Sequence, residues 1–290
     1  QLCGCSDADA HLSRRGYLGM NILDNIVAHK KTEVALHRQK FPIAVLESSI
    51  YFERPVYSLS EAVRRAPGPG IIAEFKRRSP SAGEIRAGAS VQEITAGYME
   101  AGAAALSVLT DKQFFGGRNG DLSEARYVNS GPILRKDFVI DEYQLIEAKA
   151  IGADAILLIA ACLSVPGCRE LARFARSLGL EVLLELHDAA ELSHVNEYVN
   201  AVGVNNRNLK TFEVSLATSF DIVERLPSEL LKVTESGIND PAAAADLLHA
   251  GYKGFLIGEH FMRQPDPGAA CRDFIQRVND RNQLLNGAIA

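Results

Sequence analysis

The stretch IIAEFKRRSP at residues 71–80 decides the fold of this chain, because a short apolar run ends abruptly in ionisable and turn-forming residues. Four to six apolar or β-branched residues in succession are typical of a strand buried on both faces. Seven further runs of this kind open near Ala104, Pro132, Asp154, Glu181, Ala201, Leu231 and Gly254. Helical patterns separate the runs at a step of roughly 25 residues, which predicts an α/β fold, the closed (β/α)8 or TIM barrel.

An N-terminal helical extension is predicted before the barrel. Apolar residues recur at near-helical spacing in residues 18–46, and Pro42 marks the stop. These apolar residues are Ile22, Ile26, Val27, Val34 and Leu36. A second short helix is expected at Leu59–Arg65, before the breaker PGPG at residues 67–70.

The pattern divides the chain into two parts. We expect residues 1–15 to form a flexible tail and residues 16–290 to form a single barrel domain that includes the extension helices at about 18–66. Within the barrel, helix N-caps are predicted at Ser90, Asp141, Asp188 and Asp240. The helix after Asp188 is expected to span residues 189–199.

Composition excludes several classes of protein. The net charge is −5 over 290 residues, and no basic stripe indicates nucleic acid. No apolar stretch reaches the 18 or so residues that a membrane helix needs. The five cysteines form neither a disulfide framework nor a zinc pattern, and the N-terminus lacks the apolar core of a secretory signal. We therefore expect a cytoplasmic enzyme with reduced thiols, no metal, no nucleic-acid partner and no membrane partner.

Ionisable residues at the strand ends are the candidates for chemistry. Glu74 and Lys76 lie on one face of the first strand, where they form either a structural ion pair or part of a site. Lys136 ends the third strand. Burial could lower its pKa so that it donates a proton near neutrality, or it could form a Schiff base. The alternative for Lys136 is a simple ion pair with Asp137 or with a barrel carboxylate.

The fifth and sixth strands end in further polar residues. Glu185 is a candidate general base, or a carboxylate that a neighbouring cation neutralises, whereas His187 is more simply a satisfied loop residue. Asn205 and Arg207 could orient substrate oxygens or an anion. Asn206 is expected to satisfy loop backbone.

The last two strand ends predict a phosphate site. Ser236-Gly237 and Gly258 lie in loops seven and eight, the usual phosphate cradle of this fold, although simple turns would also need glycine. Ser79 after the first strand could add a hydroxyl. Without a P-loop, HExxH or GxSxG motif, we expect acid–base chemistry on a phosphorylated small molecule without cofactor or metal.

These motifs together resemble one enzyme family, indole-3-glycerol-phosphate synthase of tryptophan biosynthesis. EFKRRSPSAG, ILRKDFVIDEYQ, LLELH, GVNNRNL, TESGI and LIGE carry the resemblance, in order, from about Ile22 to about Met262. It implies a cofactor-free carboxy-lyase. The enzyme closes the ring of 1-(2-carboxyphenylamino)-1-deoxyribulose 5-phosphate, with loss of CO2 and then of water. We expect a monofunctional chain; association with other enzymes of the pathway is left open.

The resemblance also implies residue roles. Lys136 matches the general acid, Glu185 the general base, and Lys76 the contact to the substrate carboxylate. Glu74 and Asn205 match the pair that holds the leaving hydroxyl and the amine.

The remaining matched residues would bind the substrate. Ser236 would support the Glu74–Asn205 pair, and with Gly237, Gly258 and the backbone of Glu259 it would hold the phosphate. The Glu259 side chain should face away from that anion. The others assigned to binding are Ser79, Phe115, Phe138, Arg207 and Leu209, with the two phenylalanines as apolar walls.

Two other readings stay open. A phosphoribosyl isomerase would use a strand-end acid and base in a ring opening, and two lysines in the mouth argue against it. A catalytically silent barrel would bind sugar phosphates or a partner protein without turnover.

Overall fold

Eight parallel strands close into a barrel in which each strand pairs with its sequence neighbours and the first pairs with the last. The computed structural model describes residues 22–289, with side chains to residue 286. The strands are β1 (Gly70–Phe75), β2 (Ala105–Leu109), β3 (Ile133–Lys136), β4 (Ala155–Ile159), β5 (Glu181–Leu186), β6 (Ala201–Asn205), β7 (Leu231–Glu235) and β8 (Gly254–Ile257). Each begins within one residue of its predicted start, and the predicted fold is confirmed.

Helices precede the barrel, cross between its strands and follow the last one. They are α1 (Ile22–Lys40), α2 (Ile43–Glu47), α3 (Leu59–Arg65), α4 (Val91–Glu100), α5 (Asn119–Val128), α6 (Glu142–Ile151), α7 (Val165–Ser177), α8 (Ala217–Ile222), α9 (Pro241–His249), α10 (Glu259–Met262) and α11 (Pro267–Ile289). Short 3-10 helices occur at Ala160–Cys162, Ala189–His194 and Val223–Arg225, and a hairpin joins Arg78–Ser79 to Gly83–Glu84.

All four predicted N-cap residues are confirmed, but one of the helices that follow them is shorter than predicted. Ser90, Asp141 and Asp240 each accept a backbone N–H in the first turn of their helix. Asp188 does the same, but it begins a 3-10 helix of six residues that ends at His194, so the helix predicted over residues 189–199 is wrong. The Asn196 side chain donates to the His194 carbonyl and accepts from the Tyr198 amide, which replaces the bonds that a longer helix would need.

The extension is helical as predicted, with two corrections. Helix α1 ends at Lys40, just before Pro42, and Ile26 and Val34 are buried. Leu36 is 60% exposed, because two residues along a helix turn a side chain about 200° from Val34. The buried face instead carries Lys30, which is fully enclosed. The predicted tail at residues 1–15 lies outside the described residues.

Apolar side chains fill the barrel interior below the strand ends. This interior cluster includes Ile72, Ala105, Leu134, Ala155, Leu157, Leu183, Ala201, Leu231, Val233 and Leu256. Because side chains alternate between the two faces of a strand, the residue two places further along returns to the interior. Glu74, Lys136 and Glu185 therefore stand directly above Ile72, Leu134 and Leu183.

Helix α3 closes the opposite end of the barrel. Leu59 and Val63 are buried in the interior cluster. Ser58 caps this helix and donates its hydroxyl to Glu181 at 2.6 Å, which fastens α3 to the start of β5. The barrel thus has a closed floor and a single mouth at the carboxyl ends of its strands.

Two expectations from composition can be examined within residues 22–289. No helix in this range is long and apolar enough to cross a membrane. Cys162, Cys168 and Cys271 are free thiols, as expected.

Candidate active site

One cavity of about 650 Å³ opens at the mouth of the barrel. The strand ends form its floor and walls, and Ile22, Leu23 and Ile26 of α1 contribute an apolar side. All fourteen residues that the sequence assigns to the site line this cavity: Glu74, Lys76, Ser79, Phe115, Lys136, Phe138, Glu185, Asn205, Arg207, Leu209, Ser236, Gly237, Gly258 and Glu259. Residues more than 180 positions apart therefore face one space.

Lys136 lies between two carboxylates on the cavity floor. Its Nζ donates to Glu185 Oε2 at 2.6 Å and to Glu235 Oε2 at 2.8 Å. Burial alone would lower the pKa of Lys136, but the two carboxylates outweigh burial and raise it. The expected lowering is therefore wrong, and the lysine is held in its charged form. Its partners are barrel carboxylates rather than Asp137.

Glu235 is the residue that sequence reasoning missed. It ends β7 with only 2% of its surface exposed, and its Oε1 has no hydrogen-bond partner among the described residues. Burial and the neighbouring Glu185 raise its pKa to about 7, against the lowering effect of Lys136. The missed signal was the period of two in Leu231, Val233 and Glu235, which places the carboxylate inside the barrel.

Glycine in β6 makes room for that carboxylate. A Cβ added to Gly203 would lie 2.2 Å from Glu235 Oε1 and 3.4 Å from Leu183 Cδ1. Gly203 of the motif GVNNRNL thus leaves the space that Glu235 of the neighbouring strand β7 occupies. Gly258 has a similar relation to β1, because an added Cβ would lie 2.6 Å from Glu74 Oε1.

Glu185 has an ammonium, an amide and an imidazole as neighbours, and the imidazole contacts it as a charge pair without hydrogen-bond geometry. Its Oε1 accepts from Asn205 Nδ2 at 3.0 Å and lies 3.1 Å from His187 Nε2. Burial alone would raise the pKa of Glu185, but Lys136 and His187 lower it. His187 is therefore more than a satisfied loop residue. Burial would lower its pKa, but Glu185 and Glu191 together raise it to about 10.

A second lysine–carboxylate pair stands across the mouth. Lys76 Nζ lies 2.8 Å from Glu74 Oε1, and Ser107 donates to the other oxygen of Glu74 at 3.3 Å. The ion pair considered from the sequence is present, and both partners line the cavity.

Loops six to eight form the polar rim. Asn206 is buried and donates to Thr234 and to the Glu235 and Ser236 carbonyls, which is the structural role expected for it. Arg207 lines the cavity and donates to the Phe212 carbonyl at 3.2 Å.

The predicted phosphate loops contain two residues with positive φ and a glutamate that forms an ion pair with an arginine. Ser236 and Gly237 both have positive φ, 67° and 74°. For Ser236 this conformation is strained, and such strain is concentrated at functional sites. The Glu259 carboxylate pairs with Arg263 one turn along α10, at 2.9 Å. Its charge is thereby balanced within the rim.

The aromatic wall can be assigned to one phenylalanine of the Phe114–Phe115 pair. Phe115 lines the cavity with its ring centroid 6.0 Å from that of Phe138. Phe114 packs edge-on against His29 of α1 at 5.8 Å instead. Ser79 accepts the Ala82 amide at 3.1 Å, which shapes the loop after β1. Within residues 22–289, no cluster of three or more His, Cys, Asp or Glu could hold a metal ion.

Comparison with known proteins decides the family. Residues 23–274 match the family described as indole-3-glycerol phosphate synthase. The chain belongs to the indole-3-glycerol phosphate synthase family. The enzymes of this family are carboxy-lyases of tryptophan biosynthesis.

Relatives within the indole-3-glycerol phosphate synthase family match almost end to end. The protein of that name from Bacteroides thetaiotaomicron is 48% identical over 258 residues, which cover 89% of this chain and 99% of the relative. The one from Burkholderia vietnamiensis is 45% identical over 253 residues, covering 86% and 97%.

Solved structures of other enzymes share the barrel alone. The 3-hexulose-6-phosphate synthase of Salmonella typhimurium superposes with a TM-score of 0.58 at 10% identity, covering 73% of this chain and 99% of that chain. Tryptophan synthase subunit alpha of Legionella pneumophila gives 0.56 at 13% identity, covering 77% and 97%. Identities this low support the fold and carry no inference about activity.

Proposed function

We propose that this chain closes the ring of 1-(2-carboxyphenylamino)-1-deoxyribulose 5-phosphate to give indole-3-glycerol phosphate, with loss of CO2 and water. The placement of Lys136 between Glu185 and Glu235 on the cavity floor is the observation that carries the proposal. In the first half-reaction the ring carbon that bears the carboxylate bonds to the ketone carbon, and the ketone oxygen takes a proton. CO2 then leaves, and its bonding electrons restore the aromatic ring.

Lys136 is the general acid for ring closure. Its raised pKa keeps it protonated at neutral pH, so a proton donor is always present. Although this ammonium is a weak acid, the oxygen that develops negative charge is approaching an alkoxide, which is a stronger base than an amine. A fixed cation in a water-poor cavity also stabilises that charge before the proton moves.

Glu185 is the general base for dehydration. In the resting site Lys136 and His187 lower its pKa, which makes it a poor base. Once Lys136 has given its proton to the substrate, one of these two charges is gone and Glu185 regains basicity. Glu185 can then take a proton from the methylene carbon beside the amine while Lys76 gives one to the departing hydroxyl, so that water leaves and the indole double bond forms. Glu185 and solvent return protons to the two lysines, and the site thereby couples the order of the two half-reactions.

The rest of the cavity orients a flexible substrate. Lys76 receives the carboxylate, while Glu74 and Asn205 hold the amine and the departing hydroxyl, with Ser236 in support. Ser236, Gly237, Gly258 and the Glu259 backbone hold the phosphate, and Arg207 adds positive charge.

Apolar contacts complete the orientation of the substrate. Phe115 and Phe138 enclose the ring, with Leu209 beside them. Fixing the substrate at both ends brings ring and ketone together, which is where most of the rate gain from orientation arises.

Mixing protein and substrate without metal or nucleotide, and following indole fluorescence, tests the proposal. We expect turnover by the native chain. We expect Lys136→Ala to lose at least about 100-fold in kcat, since it removes both the acid and the cation. Lys112→Ala, which changes an exposed lysine outside the cavity, is the matched control.

A binding measurement distinguishes a wrong role for Lys136 from a barrel that binds the substrate without converting it. A substrate analogue in which the ketone is reduced to an alcohol should bind Lys136→Ala, because the phosphate and carboxylate contacts remain. Near-normal turnover by Lys136→Ala would remove the mechanism. Binding without turnover by the native chain would show a silent barrel.

A further inference from the structure

A buried lysine of the extension joins two loops of the cavity. Lys30 of α1 is fully enclosed, and its Nζ lies 3.0 Å from Asp111 Oδ2 and 2.9 Å from Asp137 Oδ1. Glu33 on the same helix lies 2.8 Å from the ammonium. Enclosing an ammonium is unfavourable unless it is paired, and here the main partners belong to the loops after β2 and β3 rather than to α1.

Asp111 carries the Phe115 wall. Its Oδ1 accepts the backbone amides of Phe114 at 2.7 Å and of Phe115 at 3.2 Å, so the carboxylate shapes the turn that aims Phe115 into the cavity. The other carboxylate oxygen of Asp111 faces Lys30. The Lys30 ammonium therefore holds Asp111, and Asp111 in turn holds the turn at Phe114 and Phe115.

Asp137 stands between Lys136 and Phe138 in sequence. Its Oδ1 accepts the Phe138 amide at 2.8 Å and pairs with Lys30. Its Oδ2 accepts from Thr110 at 2.6 Å, a second link between the same two loops. If Asp137 moved, the backbone on both sides of it would move as well. That backbone carries Lys136 on one side and Phe138, the second aromatic wall residue, on the other.

Helix α1 presents one face to the mouth of the barrel. Ile22, Ile26 and Lys30 recur every four residues and so lie along one side of the helix. The two isoleucines line the cavity, whereas Lys30 lies behind its wall and does not line it. The extension is thus part of the site and is anchored there by a charge.

We propose that Lys30 is a positioning residue for the reaction proposed above. It touches no substrate, and it holds the Phe115 turn and the Lys136–Phe138 segment in register from behind. The expected change in kcat rests on the proposed function. The expected change in amide exchange at Phe114 and Phe115 rests on the loop geometry alone and needs no activity.

A charge-balanced variant is the appropriate test. Lys30→Met alone would leave the buried Asp111 carboxylate without a cation, while Asp137 would keep only Arg135 at 3.2 Å, and the variant could fail to fold. Lys30→Met with Asp111→Asn removes one charge of each sign, and the amide oxygen at position 111 can still accept the two phenylalanine amides. In this double variant we expect kcat to fall about 10- to 100-fold, because small displacements of reacting groups are sufficient for such losses.

Two further measurements distinguish positioning from a general structural role. Inhibition by inorganic phosphate should be unchanged, since within residues 22–289 the ion pairs of Lys30 are with Glu33, Asp111 and Asp137 and none is with loops seven and eight. Exchange of the Phe114 and Phe115 amide hydrogens should speed up at least 10-fold. Lys149→Met is the matched control: it changes a buried lysine that donates to the Arg54 carbonyl, away from the cavity, and should lower Tm with kcat unchanged.

The outcomes separate the two proposals. A folded double variant with kcat within twofold of the native value and unchanged amide exchange would overturn the role of Lys30. If the native chain makes no indole, the proposed function fails, and the amide exchange alone still decides whether Lys30 orders the loops.

Discussion

Lys136 shows how burial and charge compete at a single residue. An ammonium on an apolar floor should lose its proton more easily, and the sequence alone favours that reading. Two carboxylates within 2.8 Å reverse the outcome. One of them, Glu235, has its own pKa raised to about 7, mainly by burial. The local balance of charge is therefore set by three side chains from three strands.

His187→Gln tests the charge placed beside Glu185. The pKa of His187 is about 10 in the folded chain and near 6.5 when unfolded, so its contribution to stability is complete below pH 6.5 and is lost as pH rises towards 10. Urea unfolding should show that the variant is less stable than the native chain by about 1–3 kcal/mol at pH 6. The gap should shrink strongly by pH 9.5. An equal gap at both pH values would contradict the assignment.

Among the strands, the carboxyl ends carry the charged groups of the candidate site, and glycines on neighbouring strands leave space for them. Lys136, Glu185 and Glu235 end three different strands, and each follows an interior apolar residue two places earlier. Gly203 on β6 has no catalytic group of its own. It permits the neighbouring strand to carry Glu235 inside a closed barrel.

Gly203→Ala should therefore damage the site more than the fold. The new Cβ would lie 2.2 Å from Glu235 Oε1, and the carboxylate would have to move away from Lys136. We expect kcat to fall about 10-fold or more with the circular dichroism spectrum retained. Gly120→Ala on α5 is the control, because nothing lies within 4 Å of its added Cβ. Its Tm should stay level or rise, since alanine favours helix. Unchanged kcat in Gly203→Ala would show that the Glu235 position is not critical.

At the scale of the whole molecule, the barrel separates stability from chemistry. Helix α3 closes the end of the barrel opposite the mouth, and its Leu59 and Val63 pack into the interior cluster. The mouth holds Lys76 and Lys136 together with the carboxylates that pair with them, Glu74, Glu185 and Glu235. Such a division leaves the charged end free to be arranged for a substrate.

Leu59→Ala tests this division. Removing a leucine that is 1% exposed should lower the free energy of unfolding by about 2–5 kcal/mol, because it leaves a cavity in the floor. Denaturant unfolding gives this value. At a temperature where the variant is folded, kcat for indole formation should stay within twofold of the native value. A large loss of kcat would show that the floor and the mouth are coupled.

Residue order predicted the barrel and its helical extension, and strand-end position alone made Glu74, Lys76, Lys136 and Glu185 candidates for the site; Phe115 and Leu209 came only from the resemblance to one family. Strand alternation is local, so an apolar run followed by an ionisable residue predicts both a strand and the end at which the charged side chain lies. Which charges meet is not local. Only the folded arrangement shows that Glu235 shares Lys136 with Glu185, that these carboxylates outweigh burial and raise the pKa of the lysine, and that Lys30 lies behind the cavity wall. Each of these depends on distances between residues far apart in the chain, and electrostatic energies follow those distances rather than residue type.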